Sequence, residues 1–176
     1  MEAEYDFAHS VYRADLEDAA DVGTRAGERT VARLGARRMA TSHAPVVFDP
    51  RVAGGLLGHL SGAITGPSIT RGTSFLKDSL GKQIFASGIR IMDDPHRLRG
   101  MCSKPFDAEG VANKKRSLVE DGILTTWLLD LSSARQLDMK STGHAGRGTS
   151  GPPSPSPTNL YLEPGIISRE ALLADT

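Results

Sequence analysis

The sequence lacks a charge surplus, a thiol pair and any long apolar run. Lys and Arg total 21 and Asp and Glu total 21, so the formal net charge is zero. That balance argues against a dedicated nucleic-acid binder, which needs basic surplus to meet phosphate, and leaves only a local basic patch open. Cys102 is the one cysteine, so no internal disulfide can form and a reducing cytoplasm fits. No apolar stretch approaches the length of a membrane span. The N-terminus Met1-Glu-Ala-Glu-Tyr5 is acidic, unlike a signal peptide. The expectation is a soluble cytoplasmic chain without a membrane partner. Its 176 residues suffice for one domain with a real core, or for part of a larger protein.

The strongest local signal is Pro45 to Gly66. Val46-Val47-Phe48 follows a proline and reads as a short buried strand. Asp49 is placed to cap a helix, and Pro50 fits its first position, where a missing N–H costs nothing. Val52, Ala53, Leu56, Leu57, Leu60, Ala63 and Ile64 then form one apolar stripe at helical spacing. Gly66-Pro67 stops it. Gly54, Gly55, Gly58 and Gly62 lie inside the helix, each costing roughly 1 kcal/mol relative to Ala. Four such glycines predict a close-packed helix face rather than a ligand site.

Upstream, Asp15 is a plausible cap for a helix over Leu16 to Leu34, with Gly35 as its stop. Arg33, Arg37 and Arg38 near its end are read as complementing the helix dipole rather than as an anion site. Downstream, Ser74 to Gly81 reads as a short helix or turn, and Gln83-Ile84-Phe85 and Gly88 to Met92 as strands ended by Asp93-Asp94-Pro95. Asp121-Gly122 between Lys115–Val119 and Ile123–Leu129 is a hairpin signal, with Trp127 on the second strand. Asp130 to Leu137 reads as one or two helical turns. Ser141 to Thr158 holds Pro152, Pro153, Pro155 and Pro157, so neither a helix nor a central strand fits. A polyproline-like strap and a mobile linker both remain open. Asn159 to Glu163 restores strand alternation. Ser168 caps a last helix that Thr176 cuts short, as if the chain ended early.

Chemistry-bearing residues are sparse. The histidines His9, His43, His59, His96 and His144 include no pair at the spacing of a zinc-protease helix, and Cys102 has no nearby ligand partner. His59 borders the apolar stripe and reads as a packing residue. Asp93-Asp94 and Asp107 with Glu109 could bind a cation or act as acid and base, but beside Pro and Gly they read as turn formers. Gly143 to Gly148 follows no strand and opens no helix, which weakens a phosphate-cradle reading. From these residues alone no catalytic centre stands out.

Taken in order, Arg33-Leu-Gly-Ala-Arg37, Pro45-Val-Val-Phe-Asp-Pro50, Ser74-Phe-Leu76, Ile91-Met-Asp-Asp-Pro95, Pro105-Phe-Asp-Ala-Glu-Gly110, Glu120-Asp-Gly-Ile-Leu124, Ser141-Thr-Gly143 and Thr158-Asn159 resemble the TldD/PmbA family over about residues 10–170. The set is most similar to its PmbA, or TldE, branch, whose subunit carries no metal. The resemblance implies an α+β fold: a largely antiparallel sheet with a few helices, incomplete at both ends. Residues 1–42 would be the end of the middle domain, mainly one helix, and 43–176 the first part of the C-terminal domain. It implies one half of a cytosolic heterodimeric metalloprotease, historically called a modulator of DNA gyrase. There a TldD-type subunit holds zinc through a His-Glu-x-x-x-His helix and a cysteine, and unfolded peptides bind by strand pairing.

Against that metal motif, Gly58, His59 and Ala63 occupy the places of His, Glu and the second His, so two ligands and the general base are missing together. The resemblance thus implies a pseudo-enzyme subunit with no cofactor of its own and zinc in its partner. Ser141, Thr142, Gly143, Thr158, Asn159 and Leu160 are the candidate peptide-binding residues. The alternatives are a peptide- or protein-binding module without proteolysis, and an inactive truncated relic. If later strands belong to the same sheet, its exposed edge would favour aggregation or a partner.

Overall fold

Local capping chemistry fixes the helices, and a computed structural model describes them over residues 2–174. The chain divides into two compact units, one up to Val46 and one from Val47 onward.

The first unit is built on α1 (Ala19–Ala32). Its cap is Asp18, whose carboxylate accepts the Ala20 N–H at 2.7 Å; Asp15 instead ends a 3-10 turn over Arg13–Asp15. The predicted start is therefore three residues too early, because both aspartates suit a cap and the tighter turn claims the first. Gly35 adopts φ +71 just past the end, as a helix stop requires. No residue of α1 is fully buried, and ion pairs join it to the segment before it. Arg25 and Arg29 pair with Asp6 at 2.7 and 2.8 Å, Arg25 also with Glu17, and Arg33 pairs with Glu4 at 3.0 Å. Arg33 stands at the C-cap of α1, where its charge faces the helix end, and pairs with Glu4 as well.

In the second unit, α2 (Pro50–Ala63) starts as predicted, with Asp49 as cap and Pro50 in its first turn. The preceding Val46-Val47-Phe48 forms no strand and is exposed. Apolar character alone cannot supply a pairing neighbour, and none of the described strands lies beside it. α2 ends at Ala63 with Ile64 as its C-cap, short of the expected stop at Gly66-Pro67, which instead opens α3 (Gly66–Thr70). Contrary to expectation, nothing among the described residues packs closely on the α2 glycines: a Cβ on Gly54, Gly55, Gly58 or Gly62 would meet no atom from beyond its own helical surroundings within 4 Å. The close approach lies one step later. A Cβ on Gly66 would fall 2.1 Å from Ser133 Oγ, so glycine is required there.

The main sheet is antiparallel in the order β3-β2-β1-β6. Its strands are β1 (Ile91–Asp93), β2 (Arg116–Glu120), β3 (Ile123–Leu124) and β6 (Leu160–Leu162). Asp121 (φ 50) and Gly122 (φ 79) make the hairpin turn between β2 and β3. Gln83 to Phe85 forms no strand. Instead Ile84 and Phe85 donate their N–H groups to the Gly122 carbonyl at 2.9 and 3.1 Å, clasping the hairpin tip. Trp127 leaves the sheet, because β3 ends at Leu124 and Leu128 crosses to bond with Ile64 and Gly66 at the α2–α3 junction. Trp127 is nevertheless buried in the core with Ile64, Ile91, Leu118, Leu124 and Leu128. Ser74 to Gly81 runs as turns. Asp130 caps α4 (Leu131–Gln136) as read.

The proline-rich stretch is an ordered strap. Ala145–Gly146 (β4) pairs with Ser154–Pro155 (β5), and Thr142, His144, Ala145 and Thr158 are buried. The final helix, α5 (Arg169–Ala174), starts at Ser168 as expected; the last residues, 175 and 176, lie outside the described ones. An α+β fold with an antiparallel sheet and a few helices is thus established.

Candidate functional site

The sheet ends on β6, and parity decides what that edge presents. Glu163 N–H bonds to Arg90 O at 3.0 Å, and Asp94 N–H to Asn159 O at 3.2 Å. With Met92 opposite Tyr161 between them, the main-chain groups that face β1 are those of residues 159, 161 and 163. Those of Leu160 and Leu162 therefore face away, with no strand beside them among the described residues.

What holds β6 there is a buried polar cluster. Asp93 is fully buried at the end of β1. Its Oδ1 accepts the Thr158 N–H at 2.7 Å, its Oδ2 accepts the Thr158 hydroxyl at 2.7 Å, and His144 Nε2 lies 3.1 Å from the same Oδ2. His144 Nδ1 lies 2.8 Å from Thr142 Oγ1, which accepts the Leu129 N–H at 2.7 Å. A carboxylate only accepts, so Nε2 donates to Asp93; in the neutral imidazole Nδ1 then accepts the Thr142 hydroxyl. Arg116, opposite Asp93 on β2, donates to Thr142 O at 3.0 Å. Burial pushes its guanidinium below the usual range, and Asp93 partly restores it.

The order Thr142, His144, Asp93 is that of a nucleophilic relay. Thr142 is only 6 % exposed, however, and its oxygen already serves Leu129, so no substrate atom can reach it. The arrangement is a tie that joins strap, β1 and β6.

The candidate peptide-binding residues divide accordingly. Thr142 and Thr158 meet at the buried cluster. Ser141 donates its hydroxyl to Leu129 O at 3.2 Å, and Gly143 holds φ +70 against Ala112 and Asn113. The Asn159 carboxamide donates to Asp94 O at 2.7 Å and accepts the Cys102 N–H at 3.0 Å, pinning the neighbouring loop. Leu160 alone of the six sits on the open edge. Gly58 and His59 are exposed on α2, and Ala63 lies near its end. Asp107 is indeed a turn former, accepting three backbone N–H groups. Asp93 is not; it points inward. The sequence held the signal, since Asp93 has the parity of Ile89 and Ile91 on the buried side of β1. The reading also passed over His144 and Arg116.

Residues fit for a metal are absent from α2 beyond His59. Among the described residues no three His, Cys, Asp or Glu side chains gather where they could hold a metal ion. A resident zinc therefore does not fit the donors described here. No helix among the described residues is long and apolar enough to cross a membrane.

Two features flank the edge. On the side of Leu162 and Ile91, a groove of about 370 Å³ opens between α2 and the sheet, lined by Leu56, Leu60, Phe75 and Phe85 among others. On the opposite side, Tyr161 carries Arg97 at 5.4 Å and Lys115 at 6.0 Å from its ring. Lys115 also pairs with Asp94 at 3.7 Å, and Tyr161 and Asp94 hold its ammonium above the usual range.

Comparison with known proteins gives a consistent picture. Residues 41–176 match the family model for the PmbA/TldA metallopeptidase C-terminal domain. The chain is 50% identical over 145 residues to the metalloprotease PmbA of Escherichia coli, covering 81% of this chain and 32% of that protein. It is 40% identical over 146 residues to a PmbA homolog of Haemophilus influenzae, covering 83% and 32%. Among solved structures it superposes with TM-score 0.84 and 30% identity on a candidate modulator of a DNA gyrase from Thermotoga maritima, covering 94% of this chain and 37% of that one. TldE from Thermococcus kodakarensis gives TM-score 0.58 at 25% identity over 65% of this chain and 26% of that one. The chain thus spans about a third of the length of the curated relatives it matches.

Proposed function

The chain belongs to the PmbA/TldD metallopeptidase family, and from that premise we propose that it is the metal-free, TldE-type part of a cytoplasmic two-subunit protease. Residues 1–42 correspond to the end of the middle domain and 43–176 to the first part of the C-terminal one. Zinc and the cleavage step belong to a TldD-type partner. This chain's own task is to hold an unfolded peptide by main-chain pairing along β6.

The open edge at Leu160 and Leu162 carries this reading, since main-chain pairing accepts many sequences. In this reading Ser141, Thr142, Gly143, Thr158 and Asn159 position the edge, and Leu160 contacts the peptide. Gly58, His59 and Ala63 on α2 offer one imidazole where a metal helix needs several ligands.

The test is hydrogen exchange on the chain with its TldD-type partner, with and without an unfolded peptide. Protection of the Leu160 and Leu162 amides that appears only with peptide is the expected result, and Asn159→Ala weakens it without dissociating the subunits. Free exchange in both samples refutes the reading. Metal analysis of the purified chain adds a second check. Stoichiometric zinc that vanishes on His59→Ala would contradict the metal-free assignment.

A further inference from the structure

An incoming strand on β6 would alternate its side chains between the two faces that flank the edge. One face is apolar: Leu162, its register partner Ile91, and beyond them Leu60, Phe75 and Phe85. The other carries two exposed cationic residues over Tyr161, Arg97 and Lys115, with Asp94 3.7 Å from the Lys115 ammonium. Leu162 belongs both to the edge strand and to the groove, so the groove continues the edge.

Resting on the peptide-pairing reading above, we infer that this edge selects extended peptides in which large apolar side chains alternate with acidic ones. The apolar residues enter the groove beside α2, and the acidic residues meet Arg97 on the Tyr161 face, where Lys115 is already paired with Asp94. Main-chain bonds to Leu160 and Leu162 supply affinity for any strand; the two faces supply the preference. Phe75 is 84 % exposed at the groove, so its ring is available to a ligand and little needed by the fold.

The test uses the full 176-residue chain and three end-blocked octapeptides: alternating Leu and Glu, alternating Leu and Lys, and alternating Ser and Glu. Binding is read by fluorescence anisotropy, and location by hydrogen exchange of the Leu160 and Leu162 amides. The Leu/Glu peptide should bind at least about tenfold more tightly than the other two, the size of one good pocket or charge contact. Phe75→Ala should remove most of the advantage over Ser/Glu, and Arg97→Glu should reverse the preference over Leu/Lys. Equal protection of β6 by all three peptides overturns the inference and leaves strand pairing standing. No protection by any of them sinks the pairing reading itself. Leu160 and Leu162 amides protected before peptide is added, in a sample that light scattering shows to be dimeric, would assign the groove to a second copy and likewise overturn the inference.

Discussion

Replacing Asp93 should loosen the whole edge, and the size of the effect follows from the donors it serves. Asp93→Ala strands the Thr158 N–H and His144 Nε2, while the Thr158 hydroxyl can rotate elsewhere. Two buried donors left unmade cost about 1–3 kcal/mol each, so a loss of about 2–6 kcal/mol is expected. Arg116 adds to it, because Asp93 is the negative charge that offsets its burial. Asp93→Asn should be far milder. Its carboxamide oxygen can still accept from Thr158, and its NH₂ can donate to His144 once the imidazole proton moves to Nδ1. Thr142 then donates to Leu129 O, 3.2 Å away, so the chain of bonds is remade. A loss of about 1–2 kcal/mol follows. Urea unfolding followed by circular dichroism, with unchanged m, gives both numbers. A double-mutant cycle between Asp93→Ala and His144→Ala should show a coupling of at least about 0.5 kcal/mol. A loss below about 1 kcal/mol for Asp93→Ala, or strict additivity in the cycle, would refute the account of this cluster as one unit.

Three further outcomes are expected. Gly122→Ala should destabilise by about 2 kcal/mol or more, because φ is +79 and its Cβ would fall 2.4 Å from Phe85 O; an unchanged melting temperature would contradict the clasp at the hairpin tip. Gly58→Ala should instead stabilise the chain by roughly 1 kcal/mol, since its Cβ meets open space and glycine costs helix propensity; a lower melting temperature would reveal a hidden contact. Asp6, held down to about 2 mainly by its bond to Arg25 and then Arg29, contributes stability that is complete above the ordinary carboxylate range and is lost as pH falls through about 2. NMR shifts of α1 followed against pH should show that loss, and a first transition at pH 5 or above would rule it out.

Local chemistry was legible and long-range closure was not. Asp49 with Pro50, Asp130, and Asp121 with Gly122 each specify their geometry within a few residues, and each element formed where read. Asp15 failed because Asp18 offers the same carboxylate three residues on. Val46 to Phe48 has strand-like content, but a strand exists only where a neighbour accepts its ladder. Gln83 to Phe85 has such a neighbour in β3 yet makes a single bridge, Gln83 to Ile123, before Ile84 and Phe85 turn to the Gly122 carbonyl. The α2 glycines show a different limit: their helix cost is real, yet nothing described here packs against them. The site suffered most. Asp93, His144 and Thr158 come from three separate stretches, and only the parity of Asp93 with Ile91 hinted that its carboxylate turns inward.

The distance between Asp93 and Thr158 along the chain, 65 residues, also sets an order of assembly. The hairpin of β2 and β3 closes across a two-residue turn, on a microsecond scale. Closing the longer loop carries about 3 kcal/mol more chain entropy, so β6 arrives late. Until it does, β1 is a bare edge beside an apolar face, the situation in which nascent chains stick to one another. At that stage the Asp93 carboxylate lacks the Thr158 and His144 donors and has only Arg116 opposite it on β2, so a charged side chain stands on the open edge and disfavours a foreign strand there. The carboxylate that locks β6 in the finished molecule thus guards its place while the molecule is still being made.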